Sequence, residues 1–187
     1  MSTASRQPPA ASPELSEHRF TRDDNLYEDF TAGETIVHPR GRTVSDGEHM
    51  LWTNFVLNTA QLHFNQKMCD DSPQTTFDGR RVVYGGIVFA YVAGLASEET
   101  EENAVAVLSY DEGRHLNPVF AGDTLFAEST VLAKSEDDPR ISQCGAPGLK
   151  PGQAGVVKFL LRGKNQRGEV VLEITRELVV LKKAYRP

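Results

Sequence analysis

The 187-residue chain predicts an α+β fold, an antiparallel sheet wrapped round a central buried helix. Three observations carry this. Residues 82–96 (VVYGGIVFAYVAGLA) are apolar nearly all round, and a helix without a polar face is a buried one. Four segments of strand character follow, over 104–110, 123–133, 155–162 and 169–181. The last two flank GKNQRG, a hairpin connection rich in turn formers. Long antiparallel strands after one all-apolar helix read as a meander closing around it.

Each element has its own local reason. Residues 1–24 are rich in Pro, Ser, Ala and charge and lack an apolar period, so they read as a disordered leader. The folded domain is placed over 25–187. Residues 34–44 (ETIVHPRGRTV) are β-like at both ends, but Pro39 and Gly41 interrupt them, as in an edge or kinked strand. Ser45 and Glu48 form a capping box, and a helix is expected from 46 to about 57. Gly47 weakens that helix by about 1 kcal/mol relative to Ala. A short helix is expected around 64–69. Gly85 and Gly86 stand near the start of the buried helix, where they allow close approach to the backbone. Residues 134–154 contain Pro139, Pro147 and Pro151 and exceed the usual loop length, which marks a functional or a disordered segment.

Composition excludes several function classes. Twenty basic against 26 acidic residues give a net charge of −6, which argues against nucleic-acid binding. No apolar run approaches the roughly 20 residues of a membrane span, so no membrane partner is expected. Cys69 and Cys144 supply neither a disulfide framework nor zinc-ligand spacing, which fits a reducing, cytoplasmic setting without a metal.

Five histidines are present. His18 lies in the leader, and His49, beside Glu48 in the first helix, reads as a surface residue. His63 ends a polar cluster, NTAQLH at 58–63, at a helix exit. An imidazole there can move a proton near neutrality; equally, it can merely satisfy backbone groups in the turn. Gly85 and Gly86, with Tyr84, offer helix-start N–H groups that can polarise a carbonyl, or a close-packed glycine contact. Among Arg40, Arg42, Arg80, Arg81 and Arg114, one can pair with a substrate carboxylate, while the others read as solvated charge. The acidic run at 98–102 reads as a solvated loop or helix end.

These segments together resemble the MaoC-like (R)-specific enoyl-CoA hydratases of the hot-dog superfamily. GRTVS at 41–45 matches the family's strand into its first helix. NTAQLH at 58–63 matches its D-x-N-P-x-H segment, and RVVYGG at 81–86 matches its R-x-A-H-G helix start. NPVFAGDTL at 117–125 matches R-P-V-x-x-G-D-T-L. Within the family the chain is similar to the mesaconyl-CoA hydratase (β-methylmalyl-CoA dehydratase) and itaconyl-CoA hydratase branch. Asn58-Thr59 before the histidine, the A-x-L-x-Y-x-E-G-R pattern at 106–114 and N-Q-x-G at 165–168 support this.

The resemblance implies a hydro-lyase that adds water to the C=C of a short branched enoyl-CoA, such as mesaconyl-CoA. His63 would be general acid/base, Asn58 the water-orienting partner, and the amide of Gly85 or Gly86 the oxyanion donor. Tyr84, Gln61 and Arg114 would contact substrate, Arg114 through a distal carboxylate. Asn58 stands where the family has a catalytic Asp, and an amide cannot take a proton. A helper carboxylate would come from Asp46, Asp70, Asp71, Asp111 or Glu112. Two other readings stay open: a hot-dog thioesterase, which needs a carboxylate to activate water, and, because of this departure, a non-catalytic acyl-CoA-binding subunit. No cofactor is implied, since CoA belongs to the substrate. The exposed sheet edge of such a fold implies a homodimer or higher homo-oligomer.

Overall fold

The structure, a computed structural model, describes residues 24–185. The expected leader lies outside the described residues, apart from Asp24. Six strands are present among the described residues: β1 (Thr35–Val37), β2 (Arg42–Thr43), β3 (Ala104–His115), β4 (Thr124–Ser135), β5 (Ala154–Lys164) and β6 (Val170–Leu181). All pairings are antiparallel, in the order β1-β4-β5-β6-β3, with β2 on a further stretch of β4. The expected wrapped sheet is therefore present, but it is not a simple meander. β3 pairs with the last strand, β6, and the 116–123 connection carries the chain from that edge to β4.

The first helix, α1 (Asp46–Phe55), starts on the expected box. Ser45 Oγ accepts the Glu48 N–H, and bonds from Ser45 hold the Glu48 carboxyl down to about 2. The helix stops two residues before the expected end because Leu57 adopts a left-handed φ of 55°. The expected short helix becomes a 3-10 turn, Gln61–His63, followed by α2 (Gln66–Asp71), which Asn65 caps.

The buried helix, α3 (Gly85–Thr100), starts and ends later than its apolar run suggests. Val83 is drawn off into a backbone bond with Val119 O (2.8 Å), so 82–84 stay extended. At the other end the acidic run forms the helix end, one of its two expected places, but it is tied into the fold and not simply solvated. Glu99 accepts from His38 Nδ1–H (2.7 Å), and Glu101 pairs with the fully buried Arg176. Nor is α3 buried on every side: Ala90 and Gly94 are exposed.

α3 covers one face of the sheet, where Ile87, Val88, Val92, Leu95 and Ala96 pack with Leu125, Ala127, Leu161, Leu172 and Ile174. Tyr27 and Phe30 continue that layer over Val157, Phe159 and Leu178. The long 136–153 loop covers the opposite face, with Ile141, Cys144 and Leu149 over Val156 and Val179. It is thus a packing element of the fold. Among the described residues, no helix is long and apolar enough to cross a membrane.

Gly163 in β5 sets how closely α3 can approach, since a Cβ there would run into Val92. Gly163→Ala is expected to destabilise by about 1–3 kcal/mol through overpacking. A lower urea midpoint at unchanged slope is the check.

Candidate active site

The loop between α1 and α2 carries His63 to the start of α3. His63 Nδ1 lies 2.8 Å from Val82 O. A carbonyl only accepts, so Nδ1 carries the proton, and in the neutral ring Nε2 keeps its lone pair for chemistry. The His63 ring also meets Tyr84 edge-on, with centroids 5.6 Å apart. His63, Gly85 and His115 line one cleft of about 380 Å³, whose other walls are chiefly Phe77, Val82, Val83, Val88, Leu116 and Val119. An imidazole and a helix-start glycine, 22 positions apart in the sequence, thus share one mostly apolar cavity.

The N–H groups of Gly85 and Gly86 have no acceptor among the described residues, whereas Ile87 N–H already donates to Tyr84 O (2.9 Å), and the helix dipole adds partial positive charge at this end. Gly85 is required by its neighbour: a Cβ at this position would lie 2.6 Å from His115 Nε2. At Gly86 a Cβ would meet the Tyr84 ring.

Other expected site residues lie elsewhere. Asn58 Oδ1 accepts the Ala60 N–H (2.8 Å), shaping the turn toward His63, and Asn58 does not line the cleft. Gln61 is exposed and bonded to Asn65. Arg114 is exposed and pairs in register with Glu173, whereas His115 pairs with the buried core residue Leu172. Strand alternation therefore turns Arg114 to the sheet face opposite α3, away from the cleft. The five carboxylates considered as helpers do not line the cleft either. Asp46 pairs with Arg81 and Asp71 with Lys67, while Asp70 accepts from Gln66.

Two histidines carry more than their sequence context suggests. His49, expected at the surface, is fully buried, on the same inward side of α1 as Thr53. Its ring meets that of His63 at 6.5 Å. One turn on, Thr53 is also fully buried, and neither side chain has a hydrogen-bond partner among the described residues. His115 ends β3, five residues past the expected strand. Glu112 takes a φ of 53° and the register slips between Asp111 and Arg114, which breaks the period of two that would have revealed it. The NPVFAGDTL segment builds the adjoining wall. Asp123 Oδ2 accepts the Phe120 N–H (2.9 Å), Gly122 takes a φ of 97°, and Val119 O holds Val83.

With this geometry in place, the comparisons are specific. The family model described as mesaconyl-CoA hydratase matches residues 2–182. The chain belongs to the mesaconyl-CoA hydratase family. A β-methylmalyl-CoA dehydratase of Chloroflexus aurantiacus is 40% identical over 109 residues, 58% of this chain and 30% of that protein. A mesaconyl-CoA hydratase of Cereibacter sphaeroides is 37% identical over 163 residues, 87% of this chain and 43% of that protein. The chain thus spans less than half the length of these curated relatives. A Mycobacterium tuberculosis protein with a double hot-dog fold superposes with a TM-score of 0.70 at 19% identity, over 86% of this chain and 45% of that one. The fold of this family member is the hot-dog fold.

Burial pushes His49 below the ordinary histidine range, and His38 too despite its bond to Glu99; desolvation at the cleft wall lowers His115 as well, although that residue keeps an exposed side. A histidine that is harder to protonate when folded leaves the unfolded chain binding more protons. The resulting loss of stability begins as pH falls below the unfolded value of about 6.5 and grows until the folded groups themselves titrate. The urea midpoint is expected to fall between pH 7.5 and 5, and the fall is expected to shrink in His49→Phe.

Proposed function

We propose that this chain is a hydratase that reversibly adds water to the C=C of a short branched enoyl-CoA. A C5 dicarboxylyl ester such as mesaconyl-CoA is the favoured substrate. The observation that carries the proposal is the shared cleft, with the His63 tautomer set by Val82 O beside the Gly85 N–H at the start of α3. The names of the two curated relatives support the substrate class.

In this mechanism the thioester carbonyl oxygen lies at the Gly85 N–H. His63 Nε2 takes a proton from water as the oxygen adds to the β-carbon. The C=C electrons move to the α-carbon and carbonyl, giving an enolate that the N–H group and the helix dipole stabilise. The imidazolium then returns the proton to the α-carbon, so the net change is one water added. Asn58 supports this chemistry by shaping the His63 turn; with no carboxylate among the described residues that line the cleft, a single base does both transfers. The apolar walls strengthen each electrostatic contact by excluding solvent.

Loss of enoyl absorbance with mesaconyl-CoA tests the reading. His63→Ala is expected to reduce kcat by about 10²–10⁴-fold. Undiminished turnover in that variant removes the assignment, and release of free thiol without loss of the enoyl band favours a thioesterase.

A homodimer is the proposed assembly. Relatives about twice as long, and a double hot-dog neighbour, support two units of this fold side by side. The outward side of α1 also leaves Leu51 67% and Phe55 78% exposed, an apolar surface suited to cover by a second copy. Sedimentation at micromolar concentration is expected to give a dimer, and a monomer refutes this assembly.

A further inference from the structure

Beside the His63 cleft lies a second groove of about 480 Å³, lined by Arg80, Phe120, Asp123, Arg167 and Glu169. Asn117 and Pro118 line both, so the two spaces adjoin along one wall. The aromatic walls adjoin as well: Phe77 of the cleft meets Phe120 of the groove edge-on, with centroids 5.9 Å apart.

Arg80 is held in a fixed pose at this junction. Its guanidinium carbon lies 3.7 Å from the centroid of the Phe120 ring, and Nε–H donates to Phe77 O (3.2 Å). Stacking and that one bond orient the planar group while leaving both terminal amino groups without a partner among the described residues. Neighbouring arginines are committed. Arg81 is paired with Asp46, and Arg167 with Asp123 and Glu169. The two groove carboxylates are satisfied further by Gln166 and Asn165. Arg80 is therefore the groove arginine that forms no ion pair among the described residues, although Asp123 and Glu169 bring the formal charge of the lining to zero.

A guanidinium with two parallel free donors matches a phosphate or carboxylate in bidentate fashion. The ring beneath it and the 42% exposed Phe77 provide flat surfaces on which a base can stack. The apolar cleft accommodates the thioester and the reacting C=C, so the long polar CoA portion has to leave along an adjoining path. We infer that the Arg80–Phe120 groove receives the phosphate-bearing nucleotide end of the CoA thioester, with Arg80 as its anion ligand. The inference rests on the acyl-CoA reading of the cleft and deepens it.

The test compares two esters of the same acyl group, mesaconyl-CoA and mesaconyl-pantetheine, which lacks the nucleotide. Arg80→Ala is expected to raise KM for the CoA ester about 10–100-fold, the size of a lost charge-assisted contact, with kcat retained. KM for the pantetheine ester is expected not to follow, and Arg80→Lys is expected to recover part of the loss. Equal effects on both esters, or none on either, overturn the inference; equal loss places Arg80 at the acyl end or in the fold. Calorimetric titration with 3′-phosphoadenosine 5′-phosphate separates the two readings. Arg80-dependent binding of that nucleotide by a protein that hydrates neither ester upholds the groove and refutes the hydratase. Hydration of both esters with equal KM and no nucleotide binding does the reverse.

Discussion

One short stretch of extended backbone, Val82–Val83, holds the candidate site together. The carbonyl of Val82 accepts from His63 Nδ1, and the amide of Val83 donates to Val119 O, both at 2.8 Å. These two bonds sit immediately before the first turn of α3. They tie the histidine loop, the buried helix and the wall that leads into β4 to one point. They also explain why the helix starts at Gly85: continuing it backward would withdraw the groups that hold His63 and Val119. Exposed helix-start N–H groups and a correctly tautomerised imidazole are thus two results of the same backbone conformation.

That point is useful only if α3 itself is fixed. Apolar packing supplies most of the anchorage, through Val92 against Gly163 and through Ile87 and Leu95 in the main core. The helix's last turn is tied differently. Arg176, fully buried in β6, donates to Thr100 Oγ1 (2.5 Å) and pairs with Glu101, while His38 bridges Glu99 and Ser129. A buried charge is tolerated only when paired, so these contacts specify where the helix ends more than they add stability. The helix is held by packing along its length and by polar contacts at its C-terminal end, which leaves its N-terminal turn open to a ligand.

The cleft's chemistry follows from what surrounds it. Its walls are apolar apart from His63, His115, Asn117 and the glycine backbone, so each polar group has few competitors. His115 leans against Gly85 and keeps the approach to the helix amide narrow, a restraint that no single motif announces. Arg80, by contrast, sits on the far side of the Phe77–Phe120 pair. The mostly apolar cleft and the groove that holds Arg80 thus meet at two aromatic rings.

Much of this was legible in the residues alone. The all-apolar run from Val82, the Ser45–Glu48 box and the alternation of the late strands depend on local periodicity and hydrogen bonding, which a linear chain displays directly. The pairing of His63 with Gly85 was implied by the family resemblance of the two segments, not by local periodicity. The burial of His49, the turn of Arg114 away from the cleft and the arrival of His115 beside Gly85 were not legible. The first depends on which side of α1 faces inward. The other two depend on a bulge at Glu112 that shifts the strand's alternation. Local rules state which element a residue joins, but the face it presents is decided only when distant elements pack and one register wins.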